Sequence, residues 1–279
     1  MVAANESNSS IKAKPTPEPG RTIRVRIKRC EGPGKPSRWE TFRVRVEPNA
    51  NVISVLQSIS AAPTTEGGEQ TTPPVWDSGC LEEVCGACTM VINGRVRQSC
   101  SCLIDEYAPH EGDTLTLEPM TKFPVIRDLW VDRERLFHNL KCVKAWVPID
   151  GTYDLGHGPT EGPDKQETRY KLSTCMSCGC CLEACPQFTL EANEEKWDTS
   201  FVGAHAISQA RLFNDHDTGK QLKGDRLDEL MGAGGVSDCG NAQNCVKVCP
   251  KEIPLTESIG AIGRAVTIHS IARFFSGKK

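Results

Sequence analysis

Two short cysteine runs in the second half of the chain restrict its fold more than any other feature. The first reads Cys175-Met176-Ser177-Cys178-Gly179-Cys180-Cys181-Leu182-Glu183-Ala184-Cys185-Pro186. The second reads Cys239-Gly240-Asn241-Ala242-Gln243-Asn244-Cys245-Val246-Lys247-Val248-Cys249-Pro250. The first contains the spacing C-x2-C-x2-C-x3-C-P, in which three thiolates wrap one iron–sulfur cluster and the fourth turns toward a second cluster. Two such runs must therefore lie side by side in space.

Composition supports metal rather than disulfides. Fifteen cysteines in 279 residues is an odd number, and most are clustered instead of scattered as in a disulfide framework. This implies a reducing, cytoplasmic setting. A hydrophobic content of 38% suits two small domains held together partly by something other than apolar packing. The net charge of −3 gives no footprint for nucleic acid and no polybasic membrane tail. Residues 1–20 are polar, carry four Pro or Gly, and read as a disordered leader with no secretory apolar stretch. No apolar run reaches the ~18 residues of a transmembrane helix.

After the leader, Thr22 to Lys28 and Phe42 to Val46 alternate apolar and polar around a Gly/Pro-rich turn, which predicts a hairpin. Asn51 to Ile59 then has apolar residues at 52, 53, 55, 56 and 59, a short helix lying across that sheet. A β-β-α opening suggests a β-grasp arrangement. Residues 61–74 read as a surface loop. Asn93-Gly94 marks a type I′ turn within Thr89 to Val96. Leu115 to Glu118 supplies one more strand, and Pro119 and Pro124 mark the exit from the domain.

Within this half, Cys80, Cys85 and Cys88 have the plant-type spacing C-x4-C-x2-C for [2Fe–2S], and Cys100 follows after the length of the hairpin. The small residues Gly79, Gly86 and Ala87 let backbone N–H groups approach sulfur. Four thiolates also suit tetrahedral zinc, but zinc loops favour close pairs over a triple plus one. Period two puts Cys102 on the same face as Cys100, as a packed thiol or a substitute ligand.

Beyond the exit the pattern becomes helical. Leu136, Phe137, Leu140, Val143 and Val147 recur at spacings of three and four. Residues 151–168 read as a polar loop. Residues 201–213 and Asp225 to Met231 read as helices, and Ser258 to Phe275 as an amphipathic helix packed on its own domain. The expected fold class is α+β, with a β-grasp plant-type ferredoxin domain over 21–125 and an α-helical bacterial-ferredoxin-like domain over 126–279.

Overlaying the ligand spacing on the second run fills every position except the middle one of the triple, which is Ala242. Because the last Cys of each run serves the other run's cluster, Cys175, Cys178, Cys181 and Cys249 make a complete set for [4Fe–4S]. Cys185, Cys239 and Cys245 make a set of three. Alanine cannot ligate iron, so the expected occupant there is [3Fe–4S], and a missing thiolate should raise its potential. Cys180 reads as a non-ligand beside the cluster, and Cys30 and Cys142 as buried structural thiols. None of the six histidines sits in a ligand-like pair. No catalytic triad, P-loop or GxGxxG is present.

A plant-type set, a linker, and a bacterial set lacking one ligand, in that order, resemble one family closely. It is that of the iron–sulfur subunits of succinate dehydrogenase and fumarate reductase, the succinate:quinone oxidoreductases. The likeness covers about residues 21–275. It implies a subunit that takes electrons singly from a flavoprotein with covalently bound FAD and passes them through [2Fe–2S], [4Fe–4S] and [3Fe–4S] to quinone in a membrane anchor. The family works in the tricarboxylic acid cycle and respiration, and the chain would sit peripherally on the cytoplasmic face of the cell membrane, with no substrate chemistry of its own. Ubiquinone-reducing relatives carry a Trp where this chain has Leu190, and a His where it has Gly240. The stretch Gly240 to Cys245 is similar to the menaquinone-linked branch, whose anchor is a di-haem cytochrome b. A fumarate reductase would run the same wire in reverse. A soluble ferredoxin-like carrier or adaptor would lack flavin and haem partners, and a zinc-binding module would be colourless.

Overall fold

The computed structural model describes residues 20–148, 162–191 and 193–276. Residues 1–19 of the leader expected over 1–20 and the 151–161 part of the expected loop lie outside the described residues. Strand β1 (Arg21–Arg29) pairs antiparallel with β2 (Arg38–Val46), from Arg21 opposite Val46 to Arg29 opposite Arg38. Alternation on β1 sends Ile23, Val25 and Ile27 fully inward, each contributing about 1.5–3 kcal/mol of burial. Helix α1 (Val52–Ala61) crosses this face with Val52, Ile53, Val55, Leu56 and Ile59 buried. Asn51 starts it, its Oδ1 accepting from Ser54 N at 2.9 Å.

β3 (Thr89–Ile92) and β4 (Arg95–Gln98) form the expected hairpin. Asn93 and Gly94 have φ of 48° and 75°, as a type I′ turn requires. The short α2 (Ile104–Tyr107) precedes β5 (Thr114–Glu118), which runs parallel to β1 and antiparallel to β3. The mixed sheet therefore has the order β2-β1-β5-β3-β4, the β-grasp arrangement.

A two-stranded hairpin, β6 (Val125–Arg127) and β7 (Trp130–Val131), follows. Its turn residue Asp128 is buried, pairs with Arg29 Nε at 3.0 Å, and accepts from Cys30 N and Val75 N at 3.0 Å each. The rest is helical: α3 (Glu134–Cys142), α4 (Pro163–Ser173), α5 (Cys180–Glu183), α6 (Gly203–Asp215), α7 (Lys223–Met231), α8 (Asn244–Val248) and α9 (Leu255–Ser276). Ala206, Ile207 and Ala210 of α6 share one core with Leu255, Ile262 and Val266 of α9. Arg226 of α7 is fully buried and donates to the carbonyls of Lys144, Trp146 and Gly219 at 2.7–2.9 Å.

Three expectations change. Residues 163–168 belong to α4, which opens with Pro163 at its first position and buries only Leu172, too little to create a periodic signal. Phe137 is 55% exposed, because the buried line of α3 passes through Leu136 and on to Val143 and a residue one step on leaves the helix about 100° away. Helix α9 packs only through its first half. Ile268, Ile271, Phe274 and Phe275 are exposed, while His269 and Arg273 bind Asp228 of α7. Among the described residues no helix is long and apolar enough to cross a membrane.

Candidate metal centres

The loop between Gly79 and Cys88 is wound around sulfur. Leu81, Glu83 and Gly86 take positive φ of 61°, 55° and 72°, which turns successive amides toward one side as in an anion-binding nest. The N–H groups of Glu82, Val84 and Cys85 each lie 3.3 Å from Cys80 Sγ. Those of Cys80 and Ala87 reach Cys85 Sγ at 3.5 Å, and that of Glu83 reaches Cys100 Sγ at 3.3 Å. These amides, Glu82 first, hold the Cys80 thiol down at about 7. Burial instead pushes Cys88 up to about 12. A Cβ on Gly79 would stand 3.3 Å from Cys85 Sγ. Donors aimed at thiolate sulfur and small residues around it fit an iron–sulfur group.

The two later runs cross. In the first, Ser177 and Gly179 take positive φ (50° and 85°) and lead into α5. In the second, Asn241 and Gln243 (52° and 58°) lead into α8. Each short helix delivers its last cysteine to the other run. Cys175, Cys178, Cys181 and Cys249 thus line one cavity. Cys185, Cys239 and Cys245 line another, together with Ala242. Burial holds Cys175 up at about 11 and Cys181 well above the ordinary thiol value. A metal bound here would take the place of the protons on these two thiols.

Sequence spacing could not show two residues here, His205 and Gln98, nor the close packing at Gly86. His205 lines the first cavity, fully buried, with one ring nitrogen 3.2 Å from the Leu136 carbonyl and Nδ1 unpartnered. Burial pulls its imidazole down to about 4. Gln98 connects the two halves: its Nε2 donates to Thr89 Oγ1 at 2.7 Å and to Cys180 Sγ at 3.5 Å, and Cys88 Sγ lies 3.6 Å from its Oε1. Gly86 has no room for a side chain. A Cβ there would lie 2.7 Å from Cys178 Cα, and Arg133 Nη1 donates to its carbonyl at 2.8 Å.

The leftover thiols differ. Cys180 and Cys102 are buried, and burial raises Cys102 to about 12. Cys102 is not in a strand, since β4 ends at Gln98. Cys30 is buried and its thiol donates to the Gly32 carbonyl at 3.2 Å. Cys142 is only half-buried and faces His138 and Asp198, contrary to the expectation of a buried structural thiol. Leu190 is exposed, while Gly240 lines the second cavity.

Residues 24–138 match the family described as 2Fe-2S iron-sulfur cluster binding domain, and residues 171–253 match the 4Fe-4S dicluster domain. The chain is 49% identical over 259 residues to the succinate dehydrogenase iron-sulfur subunit of Bacillus subtilis, across 93% of this chain and 98% of that one. It is 25% identical over 250 residues to the fumarate reductase iron-sulfur subunit of Wolinella succinogenes, across 88% and 97% respectively. Its fold is shared with a chain of the Mycobacterium smegmatis Sdh1 complex in the apo form, with a TM-score of 0.70 at 20% identity over 88% of this chain and 96% of that one. With both cluster domains matched and nearly its whole length aligned at 49% identity, the chain belongs to the family of iron–sulfur, electron-transfer subunits of the succinate dehydrogenases and fumarate reductases.

Proposed function

We propose that this chain conducts electrons one at a time from an FAD-containing flavoprotein subunit to menaquinone held by a cytochrome b membrane anchor, as part of a succinate:quinone oxidoreductase of the tricarboxylic acid cycle and respiratory chain. Cys80, Cys85, Cys88 and Cys100 would hold [2Fe–2S]; Cys175, Cys178, Cys181 and Cys249 would hold [4Fe–4S]; Cys185, Cys239 and Cys245 would hold [3Fe–4S]. Once bound, such clusters supply one-electron redox chemistry, which divides a two-electron oxidation into single transfers.

This reading is supported by the crossing of the two runs, which leaves three cysteines and Ala242 lining the second cavity. The protein's own contribution is positional. The amides of residues 82–87 stabilise thiolate charge at Cys80 and Cys85. Gly86 brings the first loop against Cys178, which shortens the path between domains. His205, Ile253 and Leu255 cover the first cavity and keep water from it. On this reading a leader spans 1–20, the β-grasp domain 21–125 and the helical domain 126–279. With no membrane-crossing helix among the described residues, the chain would be peripheral, held on the cytoplasmic face by the anchor.

Succinate oxidation is favoured over fumarate reduction by the higher likeness to the Bacillus subtilis subunit, 49% against 25% for the Wolinella succinogenes one. Leu190 and Gly240, in place of Trp and His, favour menaquinone. Purification of the tagged chain from its host membranes should bring down an FAD protein and a haem-bearing membrane protein. That preparation should reduce a menaquinone analogue with succinate faster than its quinol reduces fumarate. A coloured chain isolated without flavin or haem would contradict the proposal.

A further inference from the structure

A second kind of donor group lies outside the cluster cavities. His138 and Cys142 stand four residues apart on α3, so their side chains leave the same face of the helix. Asp198 meets them from the 3-10 turn Glu194–Thr199. Its Oδ1 lies 2.8 Å from His138 Nε2 and 3.6 Å from Cys142 Sγ. One nitrogen, one sulfur and one oxygen thus fall within 4.8 Å of one another. None of the three lines a cluster cavity. Asp198 is separated from Cys142 by 56 positions, so spacing along the chain could not reveal the group.

The donor chemistry is selective. Thiolate, imidazole and carboxylate together suit zinc, whereas magnesium and calcium take oxygen ligands. Donors around a tetrahedral zinc stand roughly 3.3–3.7 Å apart, given metal–ligand distances of about 2.0–2.3 Å. The Cys142–Asp198 separation of 3.6 Å already meets this. The His138–Asp198 pair must open by about half an ångström, and the Asp198 side chain, 70% exposed, is free to do so. The Trp197 ring packs edge-on to His138 at 5.4 Å, and Trp197 Nε1 donates to the Glu191 carbonyl at 3.0 Å, which fixes the turn carrying Asp198.

We propose that His138 Nε2, Cys142 Sγ and Asp198 Oδ1 form a binding site for a zinc-class divalent cation, with water in the fourth position, that fastens α3 to the turn before α6. On binding, the Cys142 thiol releases its proton to solvent and the ion takes that place. No electron is transferred.

The test uses the purified complex, washed with EDTA and titrated with Zn²⁺ against a chromophoric chelator. One ion per chain should survive the competition, and zinc-edge X-ray absorption should show a single sulfur among nitrogen and oxygen neighbours. Cys142→Ser and Asp198→Ala should each weaken uptake at least ~10-fold while iron and acid-labile sulfide stay unchanged. Asp198→Ala alters an exposed side chain, so it carries the test even where Cys142→Ser fails to fold. Equal uptake by wild type and variants, or no chelator-resistant ion, would overturn the proposal. A shell of sulfur alone would do so too, since it marks zinc lodged in a cluster cavity.

Discussion

The cavity around Cys175, Cys178, Cys181 and Cys249 is closed over by His205, Ile253 and Leu255, all buried. The cavity around Cys185, Cys239 and Cys245 is backed by buried Phe201 and Ala204 but rimmed by residues 240–243, all exposed. Both come from the same two runs and the same crossing, so the difference lies in the surroundings and in one side chain, Ala242. Cluster potentials follow net charge, hydrogen bonds to sulfur and solvent exposure. A closed cavity with four thiolates and an open one with three should therefore hold centres of different potential, the open one higher. In the proposed wire the closed cavity is a transit point and the open one faces the acceptor.

The largest effect should come where the closed cavity meets the first loop. Gly86 has φ of 72°, and a Cβ there would stand 2.7 Å and 2.8 Å from Cys178 Cα and Cβ. Backbone cannot yield as a flexible side chain can, so Gly86→Ala should destabilise by roughly 2–4 kcal/mol, the strained φ adding to the clash. Thermal unfolding of the isolated chain would show this, and weakened magnetic coupling between the [2Fe–2S] and [4Fe–4S] centres should accompany it. A neutral Gly86→Ala would remove the close approach from the account.

His205 marks the closed cavity in a second way. Its imidazole stays neutral down to about pH 4, whereas the unfolded chain's protonates near the ordinary 6.5. Between these values the unfolded state binds more protons. The stability linked to this group is therefore complete above pH 6.5 and falls as pH drops toward 4, by about 2 kcal/mol at pH 5. Denaturant titrations at pH 7 and pH 5 should show that drop, and His205→Gln should flatten it. The smallest effect belongs to the open cavity. A Cβ on Gly240 would meet the Gln187 side chain, its flexible end Nε2 at 2.5 Å and Cδ at 3.4 Å. Gly240→Ala should stay within about 0.5 kcal/mol of wild type in the same unfolding assay. A cost equal to that of Gly86→Ala would erase the contrast between the two cavities.

Much of this was legible in the sequence because the signals were local. Alternation along β1, the cap at Asn51 and the Asn93-Gly94 turn each act within a few residues, and the structure has them where the pattern puts them. The cysteines lining each of the two later cavities are those that ligand spacing along the chain groups together. What escaped depends on distance or on surroundings. Helix α4 buries only Leu172 and so shows no stripe. The exposed end of α9 keeps an apolar pattern although Ile271, Phe274 and Phe275 face solvent, the two phenylalanine rings meeting edge-on. Gln98, His205 and Asp198 reach their sites across 82, 69 and 56 positions, and no periodicity connects residues so far apart.

The central claim is that the open cavity, lacking a thiolate at Ala242, holds a three-iron centre beside a closed four-iron one. Electron paramagnetic resonance of the complex, oxidised and then reduced stepwise, tests it most directly. An oxidised [3Fe–4S] centre should give a near-isotropic signal that disappears at a higher potential than its neighbour is reduced. In Ala242→Cys that signal should give way to a four-iron centre of lower potential. An oxidised wild-type complex with no three-iron signal, showing on reduction a second [4Fe–4S] centre instead, would contradict it.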